Sequence, residues 1–312
     1  MRSSELDYDL PPELVAQHPA ARRDGSRLLV LDRATGTIRH RTFADLPTEL
    51  GGELVVVNDT RVVPARLKLR RESGGAAEIL LVERVGDTLW EALARPSRRL
   101  RVGERLGPVE LLERLGEGRW RIRLRGEPDG EAPLPPYIDE PLADPGRYQT
   151  VYARESGSAA APTAGLHFTA DLLSRLDVER VTLHVGLDTF RPLAVDELEQ
   201  HELHGERYRV TPQAWARIEA ADRVLAVGTT TVRVLETVAR DGVLEGRTHL
   251  YVLPGFAFHR VDSLLTNFHL PRSTLLALVM AFAGVQQVRA LYRLAIAERY
   301  RFYSFGDAML IL

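Results

Sequence analysis

The sequence predicts an α/β protein, a host domain on a mixed or parallel sheet that is interrupted by a small antiparallel β-barrel or sandwich. Three observations carry this expectation. Strand-like and helix-like segments alternate from Thr169 to the C-terminus, as sheets with crossover helices require. Leu54-Val55-Val56-Val57 is a continuous apolar run, the pattern of a strand buried on both faces. Between about Leu67 and Pro136 the texture changes to short alternating stretches divided by glycine turns, with no helical period. The expected division is a host domain of 1–66 and 149–312 with a barrel inserted at 67–148.

In chain order, Leu28 to Asp32 and Thr37 to Thr42 read as strands around the turn Ala34-Thr35-Gly36. Leu54 to Val57 follows and stops at Asn58-Asp59-Thr60-Arg61. The barrel strands are expected at Glu78 to Glu83, Leu89 to Ala94, Val109 to Leu115 and Arg119 to Arg125. Pro133-Leu134-Pro135-Pro136-Tyr137 and Asp144-Pro145-Gly146 lead back to the host. Thr169 then caps a helix, and Val181 to Val185 is a strand. Pro212 opens a helix, Arg223 to Val227 is a strand, and a helix through Val232, Leu235 and Val238 ends near Gly242. His249 to Leu253 is the next expected strand. Ser273 caps the apolar helix Thr274 to Ala283, and an amphipathic helix runs from about Gln286 to Arg299.

Composition closes several routes. The 312 residues contain no cysteine, which excludes disulfides, thiolate nucleophiles and cysteine-ligated zinc or iron–sulfur clusters. The N-terminus carries no apolar signal core, and the longest apolar run, Leu275 to Val285, is shorter than the ~20 residues of a membrane span. A cytoplasmic protein without membrane contact is expected. With 41 basic and 43 acidic residues, no global field announces a nucleic-acid partner. The bias is local instead: Arg95 to Arg125 is rich in arginine, with Arg95, Arg98, Arg99, Arg101 and Arg105 at its start.

Four apolar segments break into polar clusters at their C-terminal ends. They are Asn58-Asp59-Thr60-Arg61, Gly186-Leu187-Asp188-Thr189, Gly228-Thr229-Thr230-Thr231 and Thr266-Asn267-Phe268-His269. Both asparagines of the chain, Asn58 and Asn267, fall among them. Ligands of open α/β sheets bind outside the carboxyl ends of the strands, so one shared polar pocket is expected. The run Val224 to Arg233 presents backbone N–H groups and hydroxyls at a helix start, which suits an anion, unless Thr229 or Thr230 is merely the N-cap. Arg233 in the first turn opposes the helix dipole unless something negative compensates it. No glycine-rich dinucleotide fingerprint, phosphate loop or nucleophile elbow is present. His201-Glu202-Leu203-His204-Gly205-Glu206 misses zincin spacing, although His167, His184 and His269 could join a metal site in space.

Taken as a set, Asn58 to Arg66, Pro162 to Phe168, Gly228 to Arg233, Thr266 to Pro271 and Tyr300 to Met309 are highly specific strings. Through them the chain resembles, over essentially its whole length, the S-adenosylmethionine:tRNA ribosyltransferase-isomerase family of the queuosine pathway. The resemblance implies a monomeric enzyme without prosthetic group or metal. It would use S-adenosylmethionine as a ribosyl donor to the aminomethyl-deazaguanine at the tRNA wobble position, giving epoxyqueuosine, adenine and methionine. The sequence departs from the family at Asp188, where glycine is usual, and at Gly205, where serine is usual.

A consistent mechanism needs a base to take a proton from the ribose carbon beside the sulfonium. His204 or His184 would serve, oriented by Asp59 or Glu206. Asn58, Thr60, Arg61, His167, Thr229, Thr230, Arg233, Asn267, His269 and Asp307 would bind substrate, with Phe168 or Phe268 flanking a base. The arginines from Arg95 to Arg105 would contact the tRNA backbone. Two other classes fit the residues less fully. One is a histidine-liganded metal-dependent hydrolase acting on nucleic acid, the other a tRNA-binding module without catalysis.

Overall fold

Strand β3 (Leu54–Asn58) lies at the heart of the molecule because it is apolar on both sides. Leu54 and Val56 face one hydrophobic cluster, and Val55 and Val57 face another on the opposite side of the sheet. The computed structural model describes residues 1–186, 195–201, 203 and 205–312. Among these, nine strands form the main sheet. Their order is β15 (Glu245–Thr248), β13 (Glu206–Arg209), β12 (Val178–Leu183), β3, β14 (Val224–Val227), β16 (Ser263–Asn267), β17 (Ala308–Ile311), β1 (Arg27–Leu31) and β2 (Ile38–Thr42).

Strands β12, β3, β14 and β16 run parallel, whereas β17 pairs antiparallel to β16 and parallel to β1. The mixed sheet expected from the sequence is therefore present. Its four parallel strands are neighbours and end at one edge, so Asn58, His184, Gly228 and Asn267 are brought to that edge together. The N-terminal ends of β1 and β17 reach the same edge, adding Ser26 and Asp307.

The second sheet is antiparallel and barrel-like, with order β5 (Arg66–Arg70), β6 (Ala76–Arg84), β7 (Leu89–Arg95), β10 (Arg119–Leu124), β9 (Val109–Gly116) and β8 (Arg105–Leu106). Alternate residues turn inward around Ile79, Trp90, Leu111, Trp120 and Ile122, which form a core separate from those of the main sheet. A two-stranded ribbon, β4 (Thr60–Val62) with β11 (Glu155–Ser158), connects β3 to the region in front of the strand ends.

Helices cover the main sheet. A single turn, α1 (Leu46–Glu49), precedes β3, and α2 (Ala170–Ser174) is capped by Thr169, which accepts from Leu172 N. Helix α3 (Pro212–Ala220) follows its N-cap Thr211. Helix α4 (Thr229–Asp241) ends at left-handed Gly242, and α5 (Thr274–Ala283) and α6 (Val285–Ala297) close the fold. Among the described residues no single helix is long and apolar enough to cross a membrane.

Three expectations need correction. The segment His249 to Leu253 is not a strand; the pairing residues are Glu245–Thr248, immediately before it. Strand β12 begins three residues earlier than expected and ends at Leu183, leaving His184 in the polar turn. Strands β13 and β17 were not foreseen, because Glu206-Arg207-Tyr208-Arg209 is short and mostly charged and Ala308 to Ile311 is short and follows an aromatic loop. Glu236, wholly buried on α4, accepts from the backbone N–H groups of His259, Arg260 and Val261 at 2.8–3.0 Å. It thereby fixes the loop that delivers β16.

Candidate active site at the carboxyl edge of the sheet

Asn58 is wholly buried and ties the ends of β3 and β12 together. Its Oδ1 accepts from Leu183 N at 3.0 Å and Thr60 N at 3.2 Å, and its Nδ2 donates to Leu183 O at 3.0 Å and to Thr230 Oγ1 at 3.4 Å. Such an amide, with both ends engaged, positions neighbours and has no group to spare for substrate.

His184 follows directly. Its Nδ1 lies 2.8 Å from Thr60 Oγ1, and its ring packs on Gly157, where a Cβ would fall 3.0 Å from it. Burial, then the nearby Arg207, lower its pKa from the usual 6.5, so the ring is neutral at pH 7. The group that orients His184 is thus Thr60, and neither Asp59 nor Glu206 is hydrogen-bonded to it. Asp59 accepts from Thr182 Oγ1 at 2.7 Å, and burial raises its pKa. Glu206 accepts from Gly186 N at 2.8 Å and pairs with Arg233. His204, the other candidate base, and Asp188 lie outside the described residues.

At the start of α4, Gly228 is the N-cap at φ +87°, a conformation that favours glycine, and no threonine hydroxyl caps the helix. Thr231 Oγ1 turns back to Val227 O at 2.6 Å. The charge that compensates Arg233 is Glu206 of β13, and the guanidinium also donates to Leu250 O at 3.0 Å and Thr248 O at 3.2 Å. Arg233 is therefore turned away from the helix start and does not complete an anion site there.

The polar clusters line two neighbouring hollows instead of one. The larger, about 720 Å³, lies between the main and barrel-like sheets and is lined by His184, Thr182, Glu206, Arg233, Glu155 and Gly157, together with Glu83, Arg84, Glu91 and Arg119. That size falls within the usual range of ligand sites. Arg247 spans from Gly205 O to Glu83 across it. The smaller, about 40 Å³, is lined by Thr229, Thr230, Thr266, Asn267, Phe268, His269, Tyr137, Tyr303 and Ser304. Alternation along the chain divides them: His184 and Gly186 line the first, Val185 the second.

Among the other expected substrate residues, His167, Phe168 and Asp307 sit behind these hollows, and Asn267, Phe268 and His269 line the smaller one with their groups engaged or buried. His167 is buried, stacked on Phe43 at 4.9 Å, 2.7 Å from Ser26 Oγ and 3.2 Å from Asn267 Nδ2. Asn267 Oδ1 in turn accepts from Thr163 at 3.1 Å. His269 contacts Thr266 Oγ1 at 2.9 Å. Phe168 and Phe268 have no exposed surface, which removes them as open stacking partners. Asp307 accepts from Arg27 N at 3.0 Å and Arg301 N at 2.8 Å, a structural task. Arg61 projects to solvent from β4 and lines neither hollow.

Burial depresses both His167 and His269 to about 3. The unfolded chain takes up protons below about pH 6.5 that these rings refuse in the fold until about pH 3. Stability therefore falls as pH drops through that window, by up to about 1.4 kcal/mol per pH unit for each ring. Urea unfolding of His167→Gln between pH 6 and 4 should show the slope reduced by about that amount; an unchanged slope contradicts the buried neutral ring.

Sequence reading missed Thr182, Gly157 and Tyr137, whereas Tyr303 lies in the string Tyr300 to Met309 that it singled out. Gly157 sits in a small-residue stretch, and Tyr137 in a proline-rich exit segment, with nothing local to mark either. Gly205 does have a legible reason. A Cβ there would fall 2.5 Å from the His249 ring, whose Nδ1 lies 3.2 Å from Leu203 O, so this chain trades a side chain at 205 for that histidine. Among the described residues no group of three or more histidines and carboxylates is arranged to hold a metal.

Along the inserted segment, Arg95, Arg98, Arg99, Arg101 and Arg105 are all exposed, as is Val102 at 60%. Only Arg105 of the five has an ion pair among the described residues, 3.8 Å from Glu110.

The chain is 53% identical over 328 residues to the S-adenosylmethionine:tRNA ribosyltransferase-isomerase of Rubrobacter xylanophilus, covering 100% of this chain and 98% of that one. It is 52% identical over 343 residues to the protein of the same name from Symbiobacterium thermophilum, covering both completely. The crystal structure of S-adenosylmethionine tRNA ribosyltransferase from Thermotoga maritima matches with a TM-score of 0.59 at 39% identity, over 99% of this chain and 100% of that one. Residues 3–311 match the family described as queuosine biosynthesis protein. The strand-end strings and the two-sheet architecture thus have one source: the chain belongs to the queuosine biosynthesis protein family.

Proposed function

We propose that this protein is an S-adenosylmethionine:tRNA ribosyltransferase-isomerase that acts as a cytoplasmic monomer. It moves the ribosyl unit of S-adenosylmethionine onto the aminomethyl-deazaguanine of the tRNA wobble position, as its relatives' names and the residues of the site together support. The observation that carries the reading is His184, a neutral imidazole held at the rim of a 720 Å³ hollow between two sheets. The Thr60 hydroxyl also reaches Glu155 O at 3.5 Å. Donation in that direction leaves it to accept from Nδ1–H, so that Nε2 keeps its lone pair for a substrate proton.

The sulfonium acidifies the adjacent ribose carbon, and His184 Nε2 takes that proton. The electron pair forms a C=C bond beside sulfur as the ring C–O bond opens. The freed oxygen becomes a carbonyl as the C–N bond to adenine breaks, adenine leaving with the proton. The wobble-base amine adds to the C=C bond, and the carbanion so formed beside sulfur closes the carbon ring on the carbonyl. The resulting alkoxide closes the epoxide by breaking the C–S bond, which releases neutral methionine. The carboxylates of Glu155 and Glu206 at the hollow favour a cationic sulfur. Incubation with S-adenosylmethionine and tRNA carrying the aminomethyl base should release one adenine and one methionine per nucleotide converted. Appearance of methylated tRNA, or no release, refutes the assignment.

The inserted sheet is assigned to the tRNA backbone through Arg95, Arg98, Arg99, Arg101 and Arg105. Reversing three of them to glutamate should weaken tRNA binding at least tenfold and flatten its dependence on salt by about 2 to 3 in the log–log slope. An unchanged slope places the RNA elsewhere.

A further inference from the structure

The smaller hollow has a composition that the reaction scheme above leaves without a task. Its floor is polar, made by Thr229, Thr230 and Asn267 at the strand ends, and its walls include two tyrosines. The Tyr137 and Tyr303 rings stand 4.8 Å apart at 56° to each other, and Tyr137 Oη lies 2.6 Å from Ser304 Oγ. Neither belongs to a helix or strand. Tyr303 is held at φ +71°, a costly backbone state for a tyrosine, by donation from its N–H to Phe268 O at 3.0 Å. Strain retained in a residue that walls a hollow is a mark of positioning for a ligand.

We propose that this hollow is the purine subsite of the co-substrate, with Tyr137 and Tyr303 as its stacking walls and Tyr137 as the wall that moves. This deepens the functional reading above and rests on it. The size of the hollow requires the movement, since about 40 Å³ holds a water or two but no purine. A planar ring between two others needs about 7 Å, twice the van der Waals contact distance. Thr229, Thr230 and Asn267 are each at most 7% exposed within packed elements and cannot retreat. Tyr303 is fixed by its backbone. Tyr137 is half-buried on the segment that leaves the inserted sheet, tied there by Gln17 Nε2 to its carbonyl at 2.9 Å.

Size also sorts the two bases of the reaction. A wobble nucleotide arrives with its phosphates attached and fits only the 720 Å³ hollow. Adenine, the leaving base of a small molecule, can be enclosed. Because Tyr137 lies on the chain between the tRNA-facing sheet and the strand ends, docked tRNA would also set how the purine is gripped.

The test uses steady-state kinetics of the full chain, varying S-adenosylmethionine and aminomethyl-bearing tRNA in turn with the other saturating, for wild type, Tyr137→Phe and Tyr137→Leu. Tyr137→Leu should raise KM for S-adenosylmethionine 10- to 100-fold with KM for tRNA unchanged, while Tyr137→Phe, which keeps the ring, stays within threefold of wild type. In parallel, 2-aminopurine riboside titrated onto the wild-type protein–tRNA complex should lose fluorescence as it stacks, which needs no variant to fold. An unchanged KM for S-adenosylmethionine in Tyr137→Leu, a rise confined to KM for tRNA, or unquenched 2-aminopurine overturns the subsite. If wild type itself releases no adenine, the functional reading fails instead.

Discussion

His184→Asn should lower the rate of adenine release by 10²- to 10⁴-fold while tRNA affinity stays within threefold of wild type. The range is that of a general base removed from a reaction that needs one. Asparagine keeps a polar group near Thr60 Oγ1, which lies 2.8 Å from the native ring, so the end of β12 should stay in place. The pH profile gives an independent reading. Burial and Arg207 hold the ring below its usual 6.5, so the acid limb of kcat/KM should fall below pH 6.5. Activity is present above that limb and is lost as the ring protonates. A variant with wild-type turnover, or a limb that persists in His184→Asn, removes this residue from the role.

The largest expected loss of stability belongs to a residue far from any substrate. Glu236→Leu should cost about 3–5 kcal/mol, because the carboxylate is wholly buried and satisfies three backbone N–H groups at once. Those donors belong to His259, Arg260 and Val261, whose loop leads into β16 and so to Asn267. Glu236→Gln retains an acceptor and should cost less than half as much. Urea unfolding followed by circular dichroism checks both; a Glu236→Leu loss under 1 kcal/mol would mean that the loop finds other acceptors.

The sequence carried a good deal of this arrangement. The run Leu54 to Val57 announced a strand buried on both faces, and that strand is central. The polar clusters at Asn58, Gly228 and Thr266 did fall at the ends of parallel strands, because side chains that cannot be buried gather where the chain turns out of the sheet. The barrel-like sheet was legible from its alternating period and glycine turns. Roles within the clusters were harder to read. Asn58, His167 and Asp307 are conspicuous residues, yet their hydrogen-bonding groups are spent on backbone and neighbours, which only three-dimensional pairing reveals. Arg233 misled for the same reason, since its partner Glu206 lies 27 residues away on strand β13. Tyr137 could not be found at all from the sequence, as it reaches the strand ends through a long connection without local pattern.

The central claim is that a neutral histidine at the strand ends removes a proton from the ribose carbon next to sulfur. It is tested most directly by S-adenosylmethionine carrying two deuteriums on that carbon, with the tRNA product examined by mass spectrometry. The account expects the wild-type product to retain one deuterium of the two, with the other lost to solvent, and expects His184→Asn to abolish that loss. A product that keeps both deuteriums, or loss that proceeds undiminished in His184→Asn, contradicts it.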